Sequence, residues 1–332
     1  MSFLGVNKSL TNKCWSGPTD QTLEKAASIS KNLSISILNA LQLVKLNIES
    51  ESYDKYVNPK VRDLMPDPKN FLDMNKGARR FLAAIEKKEK IAIFADYDVD
   101  GTVSASLITI WLENFCIIPT VYIPDREKEG FGPNYPAMKK LAQENSLILC
   151  VDCGSDANNA LKGAFEEKTD VIIIDHHKTE TKPDNAFALI NPNRFDEKNS
   201  YSYLSAAGVV FLFLVHLTTL LKEKRNHNIN LLDYLDLVGL ATIADVSPLV
   251  GLNRAFVTQG LKIFRKRPCL KKLLERHNLE SNLNEEKIAF QVAPRLNASG
   301  RLNTGLLSYQ FLIANDHKTI DELLIKIENL NL

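Results

Sequence analysis

The segment Ile91-Ala92-Ile93-Phe94-Ala95-Asp96-Tyr97-Asp98-Val99-Asp100-Gly101-Thr102 restricts this chain more than any other. Its apolar start reads as a strand buried in a parallel sheet. Three aspartates at alternate positions follow at the carboxyl end, where open α/β sheets bind ligands. Acids so close to a buried strand repel one another unless a cation offsets them, so the segment predicts a metal site. Gly101 permits a tight turn. Thr102 and Ser104 then offer hydroxyls at the start of an apolar helical run ending near Phe115.

The rest of the chain repeats this alternation. Helices are expected at Gln21 to Lys31, Ile35 to Leu46 and Asn75 to Lys88, with an extended, proline-marked arm from Val57 to Pro68. After the central helix come a short strand (Thr120 to Ile123), a polar loop with turn glycines (Pro124 to Gly132) and a helix (Pro136 to Asn145). A strand (Ser146 to Val151), a helix (Ala157 to Lys168) and another strand (Asp170 to Ile174) follow. The order predicts an α/β fold with a largely parallel sheet covered on both faces by helices. Further helices are expected at Leu204 to Leu221, Leu231 to Ile243, Asn253 to Phe264, Cys269 to His277, Leu306 to Ala314 and Ile320 to Ile327.

Chemistry-bearing residues gather at strand ends. Asp152 closes one strand, and Asp175-His176-His177 close another. Asp245 stands at a further element boundary, where capping and ligation are equally open. Together Asp96, Asp98, Asp100, Asp152, His176 and Asp245, with Asp175 and His177 nearby, make an oxygen-rich cluster containing nitrogen. That donor set suits Mg²⁺ or Mn²⁺ better than zinc or an iron-sulfur centre. So many acids suggest two ions, which about 3.5 to 4 Å apart would activate water and stabilise a phosphoryl group. Pro294 to Leu302 reads as a small-residue turn flanked by Arg295 and Arg301, whose guanidinium forks and exposed backbone donors suit phosphate. The cluster Arg265-Lys266-Arg267 could meet a nucleic-acid backbone or be a solvated turn.

Composition excludes little. The net charge of +1, from 41 basic and 40 acidic residues, gives no bulk argument for nucleic acid. Five scattered cysteines argue against a disulfide framework and for a reducing compartment, the cytoplasm. The apolar run from Leu204 is interrupted by Ser205, His216, Thr218 and Thr219, so no membrane span is expected. A phosphate-binding loop for nucleotide triphosphates, a dinucleotide fingerprint and a serine triad are all missing. A phosphoester hydrolase is the reading that remains.

Four stretches in order, Asp96-Tyr97-Asp98-Val99-Asp100-Gly101, Asp152-Cys153-Gly154, Asp175-His176-His177 and Ala244-Asp245, resemble the metal motifs of the DHH phosphoesterases. Pro294 to Leu302, the loop Pro124 to Gly132 and Val246-Ser247-Pro248-Leu249 resemble the RecJ-type exonucleases of that family. The resemblance runs from about Phe71 to Leu302. It implies a metal-dependent 5′→3′ exonuclease acting on single-stranded DNA in recombination and repair. It further implies Asp98, Asp100, Asp152, His176 and Asp245 as metal ligands, Asp96 as a sixth, Asp175 as an orienting carboxylate and His177 as a contact to the scissile phosphate. Arg295, Asn297, Ser299, Gly300 and Arg301 would steady the phosphate or shape the substrate channel.

Domains follow the same comparison: an N-terminal extension (1–70) packed on a catalytic domain (71–305), then the start of a helical linker (306–332) toward a second, substrate-binding domain. The expectations for that domain are that this chain is a fragment, the product of a split or disrupted gene, or a protein completed by a separately encoded domain. The rival expectations are a phosphodiesterase for short oligonucleotides or cyclic dinucleotides, and a noncatalytic remnant or subunit.

Overall fold

The computed structural model describes residues 3–225, 229–301 and 305–330, with backbone alone at 223–225 and 301. It divides into two units, Met1–Lys60 and Val61–Leu332. In the first unit, α1 (Asp20–Leu33) and α2 (Ile37–Lys45) are joined through Ser34 in the left-handed conformation. The hydroxyls of Thr19 and Ser36 cap them by accepting from the amides of Thr22 and Asn39. Ala26, Ile29, Ala40 and Leu43 give this unit its own small core.

The second unit is built on a parallel sheet. Its elements run α3 (Met74–Glu86), β1 (Ile91–Ala95), α4 (Val99–Glu113), β2 (Thr120–Tyr122), α5 (Tyr135–Glu144), β3 (Leu147–Val151), α6 (Asn158–Glu166), β4 (Asp170–Ile174) and β5 (Ala188–Ile190). All strand pairs are parallel, in the order β2-β1-β3-β4-β5. The α/β architecture is therefore the expected one. Successive side chains alternate between faces: Ile91, Ile93 and Ala95 enter the larger core, whereas Ala92 and Phe94 pack with Met138, Leu141 and Leu161.

The helices α7 (Ala206–Arg225), α8 (Leu235–Ala244), α9 (Gly251–Ile263), α10 (Pro268–Arg276), α11 (Ala293–Arg301), α12 (Gly305–Ile313) and α13 (His317–Asn329) complete the unit. At its centre α4 is buried at every residue from Val99 to Thr109, packed against α7, α8 and α12. A helix apolar on all sides must be covered on all sides. Its hydroxyls cost little there, because Thr102, Ser106 and Thr109 each donate to a carbonyl four residues back.

Three local expectations are corrected. The arm from Val57 to Pro68 is not extended; it contains a short helix at Val61–Leu64, and Pro68 opens a further turn at Pro68–Asn70. Proline fits that opening position because its φ is already helical and its missing N–H is not needed. In the basic cluster, Arg267 is neither solvated nor free: its guanidinium is bidentate to Asp236 (2.6 and 3.0 Å) and ties the start of α10 to α8. The segment at Pro294 is not a turn but most of α11, entered through a π-helical turn at Ile288–Val292. Its amides lie within a helix and are not an exposed set of phosphate donors.

Candidate metal centre

Strand register builds the site. Ala95 pairs with Val151, Val151 with Ile174, and Ile174 with Ile190. The next residue of each strand therefore falls in one row: Asp96, Asp152, Asp175 and Asn191. Backbone bonds continue into that row, from Asp96 N to Val151 O (3.3 Å), Asp152 N to Ile174 O (3.0 Å) and Asp175 N to Ile190 O (3.1 Å). Parallel strands lie about 4.8 Å apart, so the carboxylates are crowded by the sheet itself. The row crosses the β1/β3 junction, where strand order reverses and doubly wound sheets open a ligand crevice.

Each acid is then aimed by a local device. Asp98 caps α4, its Oδ1 accepting from Gly101 N at 3.0 Å. Gly101 is required by proximity, since a Cβ there would stand 2.4 Å from the carbonyl oxygen of Asp96. Asp100 points to the start of α7, where its two oxygens accept from Ala206 N (2.7 Å) and Ala207 N (2.9 Å). Asp152 has φ of 59°, a left-handed conformation uncommon for a non-glycine residue and typical of sites where geometry is held by the surroundings. Asp245, at the end of α8, accepts from Ser247 Oγ at 2.6 Å and lies 3.9 Å from His176 Nδ1.

Ligand atoms converge in three groups: Asp96, Asp98 and Asp152; Asp100, His176 and Asp245; and Asp152, His176 and His177. The first two share no residue. His176 Nε2 stands 3.3 Å from Asp152 and 3.8 Å from Asp100. Among the described residues, Oδ1 of Asp96 and Oδ1 of Asp152 are buried without a hydrogen-bond partner. Such orphaned anionic oxygens are costly in protein, and a hard divalent cation is the partner that fits them.

Electrostatics express the same strain. Burial, then the charge of Asp98, raises Asp96 to about 7. Burial likewise lifts Asp100 and Asp152 well above the ordinary range, helped by Asp245 at the first and by Asp100 at the second. Asp175 goes the other way: burial works to raise it, but bonds from His177 and Ser155 outweigh that and lower it. Its Oδ1 lies 2.7 Å from His177 Nδ1 and raises that imidazole to about 9. Asp175 also accepts from the amides of His176 and His177, so it sets both rings.

The sequence reading missed the residues that hold this loop from behind. Asn191 Nδ2 donates to His177 O and Ser155 Oγ, both at 2.8 Å, and Asn193 Nδ2 donates to His176 O at 2.6 Å. Their segment looked like a plain turn; the signal was its position one residue beyond β5, in the same row as the acids. Arg126 was also missed, and its guanidinium lies 5.1 Å from the ring centre of Tyr97, between Asp96 and Asp98 in sequence.

The α11 residues divide. Asn297 Oδ1 accepts from Val99 N at 2.9 Å, and Gly300 abuts Tyr97, so both support the first acidic segment from behind. Ser299 is buried and bonded to Ser308 Oγ (2.6 Å), and Arg295 binds His277 Nε2 (3.1 Å) and the Gln291 carbonyl. Neither is brought into the acidic cluster. The Arg301 side chain lies outside the described residues.

The DHH family N-terminal domain matches residues 90–242, the part of the chain that carries the strand-end row. Over most of its length the chain is homologous to RecJ exonucleases. It is 36% identical over 313 residues to the single-stranded-DNA-specific exonuclease RecJ of Bacillus subtilis, covering 93% of this chain and 38% of that relative. RecJ of Thermus thermophilus in complex with Mn²⁺ superposes with a TM-score of 0.78 at 25% identity, over 95% of this chain and 44% of the other. A crystal structure of exonuclease RecJ bound to manganese gives 0.71 at 28% identity, over 81% of this chain and 66% of the other. The chain thus spans well under half the length of its Bacillus relative.

Proposed function

We propose that this protein is a metal-dependent phosphodiesterase that removes nucleotides 5′→3′ from single-stranded DNA, using two Mn²⁺ or Mg²⁺ ions. The observation that carries this reading is the pair of three-ligand groups with no common member, Asp96/Asp98/Asp152 and Asp100/His176/Asp245, with two orphaned buried oxygens among them. Homology to RecJ supports the substrate. The catalytic role falls to the second unit, which contains every one of these residues. Among the described residues no helix is long and apolar enough to cross a membrane, and the free cysteines suit a reducing cytoplasm.

Divalent cations bound there supply positive charge that offsets the phosphoryl oxygens and acidifies water. The chain supplies the rest. Asp175 fixes the His177 ring through Nδ1 and leaves Nε2 to hold a proton beside the scissile phosphate. Asp100, anchored on the first amides of α7, keeps the second ligand group from swinging away. Asn191 and Asn193 lock the two histidine carbonyls, so the rings keep their aim when a strand arrives.

The test is cleavage of 5′-labelled single-stranded DNA with Mn²⁺, beside duplex DNA and a dinucleotide, with Asp152→Ala as control. Labelled mononucleotide released from the single strand is expected, and at least hundredfold less from Asp152→Ala, which keeps its circular-dichroism spectrum. Cleavage of the dinucleotide alone would replace this reading with a short-substrate phosphodiesterase. Equal activity in Asp152→Ala would remove the acid from the chemistry.

A further inference from the structure

Two cavities lie side by side along the carboxyl crest of the sheet. One, of about 470 Å³, is lined by Phe131, Asp152, Asp156, His177 and Lys178 among others. The second, of about 740 Å³, is lined by Asp156, Lys178, Thr179, Glu180, Asn193 and Phe195 among others. Asp156 and Lys178 belong to both, so the two form one trough that starts at a proposed metal ligand and runs toward the β5 side. Each half is of ligand size.

Each half also carries a phenylalanine left in water: Phe131 is 71% exposed and Phe195 60%. One wall of the second cavity is tied down. Thr179 forms a parallel bridge with Arg194, and its hydroxyl donates to Asp156 Oδ1 at 2.6 Å. Lys178 is exposed and, among the described residues, makes no ion pair. With Asp156 and Glu180 on the walls, charge alone is a weak anchor for an anion here. Flat apolar rings are the stronger one.

We propose that this trough holds the nucleotides adjoining the scissile phosphate of a single strand, with bases stacked on Phe131 and Phe195 and a backbone phosphate near Lys178. The inference rests on the phosphodiesterase reading and adds to it a reason for preferring unpaired strands. A base held in a duplex has both faces covered by its neighbours, whereas an unpaired base can lay one on a phenylalanine. Such stacking accepts any sequence.

The test measures fluorescence anisotropy of a cleavage-resistant phosphorothioate ten-nucleotide single strand with Mn²⁺. The wild type is compared with Phe195→Ala, Phe131→Ala and Phe195→Trp. Each alanine variant is expected to bind about tenfold more weakly, as loss of one stacked base implies, and Phe195→Trp to bind as the wild type does. Strands with a single abasic position add the decisive contrast: at one position the wild type loses the same affinity, and Phe195→Ala loses nothing more there. Unchanged binding by Phe195→Ala, or an equal loss at every abasic position, would overturn the trough. Cleavage of an ordinary phosphodiester strand in the same buffer separates the two readings. Cleavage with no effect of Phe195 removes the trough alone, whereas neither cleavage nor binding removes both.

Discussion

Asn191 supports the histidine loop from behind. It is fully buried, and its amide bonds Ser155 and His177 without touching any proposed ligand group. Asn191→Ala leaves a buried carbonyl without its donor, which costs about 1 to 3 kcal/mol. It also loosens the rings that Asp175 aims, and loss of such supporting bonds lowers metal affinity by about 10- to 100-fold. Calorimetric Mn²⁺ titration beside thermal melting checks both; a lower melting temperature with unchanged Mn²⁺ affinity would confine Asn191 to the fold. The acids of the site were legible in sequence because carboxylates packed against an apolar run have few uses other than holding a cation. Asn191 was not, since an asparagine before a proline reads equally well as a turn, and only register reveals its neighbours.

At the scale of elements, α11 sits against the first acidic segment through Gly300. A Cβ at Gly300 would stand 2.4 Å from the carbonyl oxygen of Tyr97, a backbone atom that cannot swing aside. Alanine favours a helix over glycine by about 1 kcal/mol, but overpacking of this kind costs about 1 to 3 kcal/mol, and the clash decides. Gly300→Ala is therefore expected to lower the melting temperature and weaken Mn²⁺ binding together; a stabilised protein would show that α11 can move off Tyr97 freely.

The strand-end row makes a second prediction. Without cations, Asp96 titrates at about 7 rather than 3.8, so the folded state binds the extra proton and stability falls as pH rises from about 4 to 7. His177, raised from 6.5 to about 9, contributes stability below about 6.5 that is lost toward pH 9. Both slopes have one sign. The chelated protein should melt lower at pH 8.5 than at pH 5.5, and Mn²⁺ should recover the difference at pH 8.5. Melting scans with and without chelator read this directly; a chelated protein more stable at pH 8.5 would contradict the account of the acids.

Across the whole molecule, the parallel sheet was legible because fully buried strands are continuous apolar runs, and β1, β3 and β4 fall where those runs fall. The strand β5 escaped because Ala188-Leu189-Ile190 lacks the β-branched and aromatic run that marks the equally short β2. Likewise α11 was mistaken for a turn because Pro294 and the Ser299-Gly300 pair resemble loop chemistry. In fact Pro294 occupies the second helical position, and glycine is needed at 300 for packing. Net charge was uninformative for a physical reason: the acids that would hold cations are counted as negative although the working centre would not be.

Mn²⁺ stoichiometry reads the two-ion centre itself. Isothermal titration of the chelated protein should give two ions per chain, falling to one in Asp245→Ala, which breaks only the Asp100/His176/Asp245 group. A single ion in the wild type, or no binding by a folded protein, would contradict a two-ion centre.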